Sequence, residues 1–259
     1  MRYGECNWTQ MPDLVDRVVV LPLGSLEQHG RHLPLLTDSL IGDEVIRRAG
    51  VELGDTALFL PTIWMGASDH HRRFPGTVSL SNGTYTNMLI DVLESLIGSG
   101  FRRILLLNSH GGNDVPGSAA IYEVQMRHRE RNDLWLVLAA WFTLAASRIA
   151  ALDQIEQKYV THACELETSM VLRLRPHLVR MEVARGAHEP LGSVFYSPYS
   201  GRESRVIVRR PFEQTTITGA YGHPELATAD KGEALFQVAV GEVVSCIREV
   251  AAWPALKPS

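Results

Sequence analysis

The stretch LPLGSLEQHGRHLPLLTD, residues 21–38, constrains this chain more than any other. It continues the apolar, β-branched run that begins at Val18, and it carries Glu27, His29, His32 and Asp38. An unbroken apolar run predicts a strand covered on both faces, since a half-exposed strand alternates. Carboxylates and imidazoles gathered at its carboxyl end are costly to bury unpaired. A divalent transition metal is the partner that suits such a donor set.

Strand and helix patterns alternate along the rest of the chain. Val18–Leu23, 57–60, 104–107 and 134–139 read as strands. Residues 38–49, 84–98, 162–173 and 228–250 read as helices with an apolar stripe at helical spacing, and 114–130 also reads as helical. The stretch 62–82 reads as a long loop, and 176–226 as irregular chain rich in Gly, Pro, Arg and Ser. This order predicts an α/β fold with a mainly parallel sheet between helical layers. In such folds ligands gather beyond the carboxyl ends of the strands. Both the 27–38 segment and the loop NSHGGN, 108–113, fall there.

With 45% hydrophobic residues the chain has ordinary globular composition, and a single domain over 1–259 is expected. A net charge of −4 argues against a nucleic-acid partner. No apolar stretch is long and uncharged enough to span a bilayer, so no membrane role is expected. Cys6, Cys164 and Cys246 are too few and too scattered for a disulfide framework. Together with an N-terminus that lacks a signal pattern, they predict a cytoplasmic protein.

Glu27 and His29 are two residues apart, a spacing that in extended chain projects both to one side, towards one ion or two adjacent ions. Asp38 opens the next helix, where its two oxygens can bridge a pair of metals. His110 arrives from the neighbouring strand end. HACELETS, 162–169, adds His162, Glu165 and Glu167. Mixed N/O ligation of this kind suits Zn, Mn or Fe. His162 is the candidate to carry a proton to a leaving nitrogen. His32 is read as shaping its loop or touching substrate, Glu165 as favouring a helix N-terminus and Cys164 as a small buried residue. The arginines 202, 205, 209 and 210 are read as a solvated or subunit-contact loop.

At these motifs the chain resembles the creatininase family of metal-dependent amidohydrolases. The resemblance rests on Trp8, the 21–38 segment, GASDHHRRFPGT at 66–77, NSHGGN, HACELETS and GHPELATADKGE at 222–233. It implies a three-layer α/β/α fold, two divalent metal ions, hydrolysis of C–N bonds in small amides, and a homo-oligomer, often a hexamer. Carried over, it implies that Glu27, Asp38 and His110 hold one ion and that His29 and Asp38 hold the other. It also implies His162 as the catalytic histidine. True creatininases supply a further glutamate just after the histidine of the HGGN-type motif. This chain has Gly111 and Gly112 there, and Glu167 is read as the replacement. Arg31 and His70 stand where the family commonly has a proline and an acidic residue. Arg31, His71 and Trp141 are the candidates for substrate contact, and Phe74 is read as a turn anchor. The expected substrate is a small cyclic amide or formamide. A short peptide precursor is the alternative, and a non-catalytic metal-stabilised subunit the remote one.

Overall fold

Four short strands pair in parallel in the order β2-β1-β3-β4: β1 (Val18–Leu23), β2 (Ala57–Phe59), β3 (Arg103–Asn108) and β4 (Trp135–Ala140). β1 lies central and in register with β3, from Val18 opposite Arg103 to Leu23 opposite Asn108. The computed structural model describes residues 1–186, 193–196 and 204–257. Arg202 lies outside the described residues.

Every residue of β1 is buried because the two faces of its pleat serve two cores. Val18 and Val20 join Leu105 and Leu107 under α1 (Thr37–Leu53), α6 (Glu165–Leu174) and α7 (Ala229–Ala252). Val19, Leu21 and Leu23 join Ile104 and Leu106 under α2 (Asn82–Gly98) and α3 (Asp114–Arg127). The result is the expected three-layer α/β/α arrangement. Side-chain caps fix two helix starts: Ser81 accepts from the Thr84 amide, and Thr228 from that of Lys231.

Three local features depart from the sequence expectation. After β4 the chain turns into two short helices, α4 (Trp141–Leu144) and α5 (Ala146–Ala150), too brief to show a period. The loop at 62–82 holds a 3-10 turn at Asp69–His71. Finally, α6 begins at Glu165 and not at residue 162. Ala163 takes a left-handed backbone (φ 50°), which helical chain cannot contain.

The α1, α6 and α7 layer is clamped by Glu233 of α7. Its carboxylate receives Arg48 of α1 through two contacts of 2.7 and 3.0 Å, and Arg173 of α6 at 2.8 Å. Those hydrogen bonds hold the Glu233 carboxyl near 2, below its ordinary 4.5. A depressed folded value means that the stabilisation is present above the unfolded value and is lost as pH falls through the folded one. Glu233→Gln is therefore expected to cost about 1–2 kcal/mol at pH 7, allowing for solvent screening. Denaturant titrations should show the gap between variant and parent narrowing as pH falls from about 4.5 towards 2.

Candidate metal centre

The carboxyl ends of β1 and β3 deliver most of the site. Past β1 the chain is pinned by the Glu27 amide donating to the Leu35 carbonyl (2.9 Å), which closes a loop and brings Glu27 and His29 back towards Asp38 in the first turn of α1. Ser25 donates to Asp38 Oδ2 at 2.6 Å and fixes that carboxylate. Past β3, Asn108 accepts the His110 amide (3.0 Å), and its own amide donates to the His110 carbonyl (2.7 Å). Asn113 then ties this loop to the others, accepting the Ala67 amide (2.9 Å) and donating to the Gly24 carbonyl (3.0 Å). The left-handed turn at Ala163 swings His162 to the cluster ahead of α6, while Glu167 enters from the first turn of that helix. A backbone held in this sparsely populated region beside a functional group is a local strain.

The gathered atoms stand at ligand-to-ligand spacing. His110 Nδ1 lies 3.3 Å from Glu27 Oε1 and 3.1 Å from Asp38 Oδ2, and His29 Nε2 lies 3.1 Å from Asp38 Oδ1. The two oxygens of Asp38 thus face different histidines. His71 Nε2 and His162 Nδ1 lie 3.3 and 3.7 Å from Glu27 Oε1. His29, His162 and Glu167 form a further group with donor atoms within 4.8 Å of one another. Two nitrogen ligands on one tetrahedral zinc are separated by about 3.3 Å, given Zn–N bonds of roughly 2.0–2.1 Å.

Burial makes the cation fit compelling. Glu27, His29, Asp38, His110 and Glu167 are all at most 6% exposed. Among the described residues, neither Glu27 oxygen accepts a well-formed hydrogen bond, nor does Glu167 Oε2. Buried carboxylate oxygens left this way cost several kcal/mol unless a cation meets them. The local fields point the same way. Burial alone would raise the Asp38 carboxyl, but His29 and His110 hold it well below the ordinary range. Burial would lower His29, yet Asp38 carries it to about 9, and Glu27 and Asp38 likewise lift His110. Burial raises Glu167 to about 7, with Asp38 adding repulsion against the pull of His29. His162 and His71 are driven well below their ordinary value, by burial first and then by neighbouring imidazoles.

All six residues expected as metal or catalytic groups therefore converge. Of the expected substrate contacts, Arg31 is exposed and its side chain makes no hydrogen bond or ion pair among the described residues. Trp141 is 1% exposed in the core, edge-on to Phe142. His71 belongs to the cluster itself, 1% exposed, and not to an open pocket wall. Glu165, two residues before Glu167, is fully satisfied by the Glu156 and Gln157 amides and by Lys231 Nζ at 2.6 Å, so it is a structural anchor. His32 bonds Thr168 Oγ1 at 2.9 Å, fastening its loop to α6. Cys164 is buried and its thiol is pushed up to about 12, far from a nucleophile.

Sequence reasoning missed two residues. Gln28 contacts His71 and His162 through its amide (2.9 and 3.0 Å). Phe212 covers the same two rings at 4.4 and 4.6 Å. Phe212 comes from the patternless 176–226 region, where no sequence signal marks it. Gln28 lies inside the richest motif, and its position between Glu27 and His29 was the available clue.

The second glycine of the pair after His110 has a steric cause. A Cβ on Gly112 would collide with the Ala67 carbonyl oxygen and with His110 Nε2, whereas one on Gly111 would meet nothing. The loop is thus packed so that position 112 holds no side chain, and Glu167 supplies a carboxylate to the same cluster from α6.

Comparison with known proteins agrees with this geometry. Residues 4–247 match the creatininase family, described as creatinine amidohydrolase. A mycofactocin precursor peptide peptidase of Mycobacterium tuberculosis is 31% identical, over 96% of this chain and 90% of the relative. A creatinine amidohydrolase of Pseudomonas putida is 28% identical, over 95% of each. A crystal structure of creatininase superposes with a TM-score of 0.79 at 26% identity, covering 98% of both chains. Other creatininase structures include a Zn–Zn form and a manganese form, with TM-scores of 0.77 and 0.78. The whole-chain match, the shared fold and the convergent His/Glu/Asp cluster together show that this chain is a hydrolase belonging to the creatininase family.

Proposed function

We propose that the protein is a metal-dependent amidohydrolase that cleaves a C–N bond in a small cyclic amide or formamide. The observation that carries this reading is the trio of buried carboxylates, two of them with unmet oxygens, set among imidazoles at ligand spacing. Glu27, Asp38 and His110 would hold one divalent ion, and His29, Asp38 and Glu167 a second. Zinc is the best match, with manganese or iron as alternatives. Bound metal supplies a Lewis acid and a water whose pKa drops from 15.7 towards about 7.

The chain's own residues do the rest. Ser25 and Ser68 steady Asp38 and His110 from behind, at 2.6 and 3.2 Å. His162 Nε2 donates to the Gln28 carbonyl at 2.8 Å, which leaves its Nδ1 lone pair turned towards Glu27. From there Nδ1 takes a proton from the attacking water and returns it to the leaving nitrogen. Phe212 shields His71 and His162 from bulk water.

A second reading, trimming of a short peptide, is favoured by the 31% identity to the mycofactocin precursor peptide peptidase. Lactams, formamides and short peptides assayed side by side separate the two. Chelation is expected to abolish turnover, and zinc or manganese to restore it; turnover that survives complete chelation rejects both. The three cysteines are unpaired, which supports a cytoplasmic setting, and no helix among the described residues is long and apolar enough to cross a membrane. A homohexamer is the assembly proposed from the family resemblance.

A further inference from the structure

Gln28 is 4% exposed, and metal ligation gives it no task. We propose that Gln28 is a positioning residue: it fixes which ring nitrogen of His71 carries the proton and thereby keeps His71 out of the metal's ligand set. The role in turnover rests on the hydrolase reading above; the proton placement does not.

The backbone decides which way the Gln28 amide points. The Gly30 amide, which can only donate, lies 2.8 Å from Gln28 Oε1. Gly219 packs so close to that oxygen that a Cβ there would overlap it, and its own backbone is left-handed (φ 79°). With Oε1 so placed, Nε2 is the atom 2.9 Å from His71 Nδ1. An amide nitrogen offers only hydrogens. A proton on His71 Nδ1 would set N–H against N–H, so Nδ1 presents its lone pair and the ring proton sits on Nε2. That nitrogen faces Glu27 Oε1 at 3.3 Å. A protonated ring nitrogen cannot ligate, and the other nitrogen is occupied by Gln28. His71 therefore stands among the ligands with its protonated Nε2 turned towards Glu27, without a well-formed hydrogen bond to it.

The same residue acts on His162 through its main chain. His162 Nε2 has the Gln28 carbonyl at 2.8 Å and the Gln28 amide at 3.0 Å. Of the two, the Gln28 carbonyl is the nearer partner.

The test uses zinc-loaded protein labelled with 15N at histidine. Long-range proton–nitrogen correlation separates protonated from unprotonated ring nitrogens, and a His71→Gln spectrum identifies the His71 signals. The expected pattern is unprotonated Nδ1 and protonated Nε2. In Gln28→Glu an oxygen replaces Nε2 and can only accept, so Nδ1 becomes protonated. With it kcat should fall about 10- to 100-fold, as for groups behind the ligands, with little change in KM. A parent spectrum with His71 protonated on Nδ1, or bound to zinc through either nitrogen, overturns the proposal even if the variant does not fold. So does a Gln28→Glu spectrum that keeps the parent pattern. Loss of the rate arm alone, with the spectra as expected, removes the catalytic consequence and leaves the proton placement.

Discussion

Replacing His162 by alanine should lower kcat by roughly 10²- to 10⁴-fold, the span typical of a general acid–base group, while the metal content stays that of the parent. The His162 ring lies tilted against His29 at 4.3 Å and stacks on His71 at 4.4 Å, so it sits beside the cluster on a wall of other rings. Its Nε2 is taken by the Gln28 carbonyl, and its Nδ1 is 3.7 Å from Glu27 Oε1, the longest of the cluster's imidazole–carboxylate contacts. Removing the ring leaves Glu27, His29, Asp38, His110 and Glu167 in place. Elemental analysis next to kcat decides the matter. The competing role is ligation, because His162 also falls within 4.8 Å of donor atoms on His29 and Glu167. Metal lost in step with rate would make His162 a ligand and remove the proton-transfer scheme.

Asp38→Ala is expected to be worse, emptying the site and taking turnover to background. Its two oxygens face the two halves of the cluster, one 3.1 Å from His29 and the other 3.1 Å from His110. Without it the two imidazoles lose the carboxylate that balances them, and a cation loses a ligand in each position. The loss is readable without any substrate. A ligand held only by folded protein stabilises it by about 2.7 kcal/mol at a hundredfold excess over Kd. For a chain of this size that is roughly a 5–10 °C rise in Tm on adding zinc. The parent should show this rise and Asp38→Ala should not. An undiminished zinc response in the variant would mean that the ions bind elsewhere.

Where function compresses into a short stretch, the sequence was readable. Glu27, His29 and Asp38 lie within one loop and one helix start, so their meeting required only that β1 end where its apolar run ends. His110 was legible because a parallel sheet places neighbouring strand ends together. The six groups meet as the alternating pattern implied, and so do the layers: Val18 to Leu23 read as doubly covered and are.

Legibility failed where position depends on a single unusual residue or on chain without a period. Nothing in HACELETS announces that Ala163 breaks the helix, although that break aims His162. Glu165 and Glu167 are alike in sequence, and only the arrival of Lys231 and two backbone amides makes one an anchor and leaves the other's oxygen open. Trp141 invited a reading as a pocket wall, but the helix that follows β4 turns its ring into the core. Phe212 reaches the site across more than a hundred residues of sequence separation from His71, a contact that no local rule encodes.

The crowding at Gly112 bears on how such centres diverge. A carboxylate cannot be installed at position 112 by one substitution here, because the Ala67 carbonyl already fills that volume. The segment carrying Ala67 would first have to be redrawn, and it is the same segment that bears His70 and His71. Moving the acidic donor between a loop and α6 is therefore coupled to remodelling the neighbouring wall. Lineages that differ in where this donor originates should differ in the shape of the chamber as well, so a change of ligand source and a change of substrate would be inherited as one event.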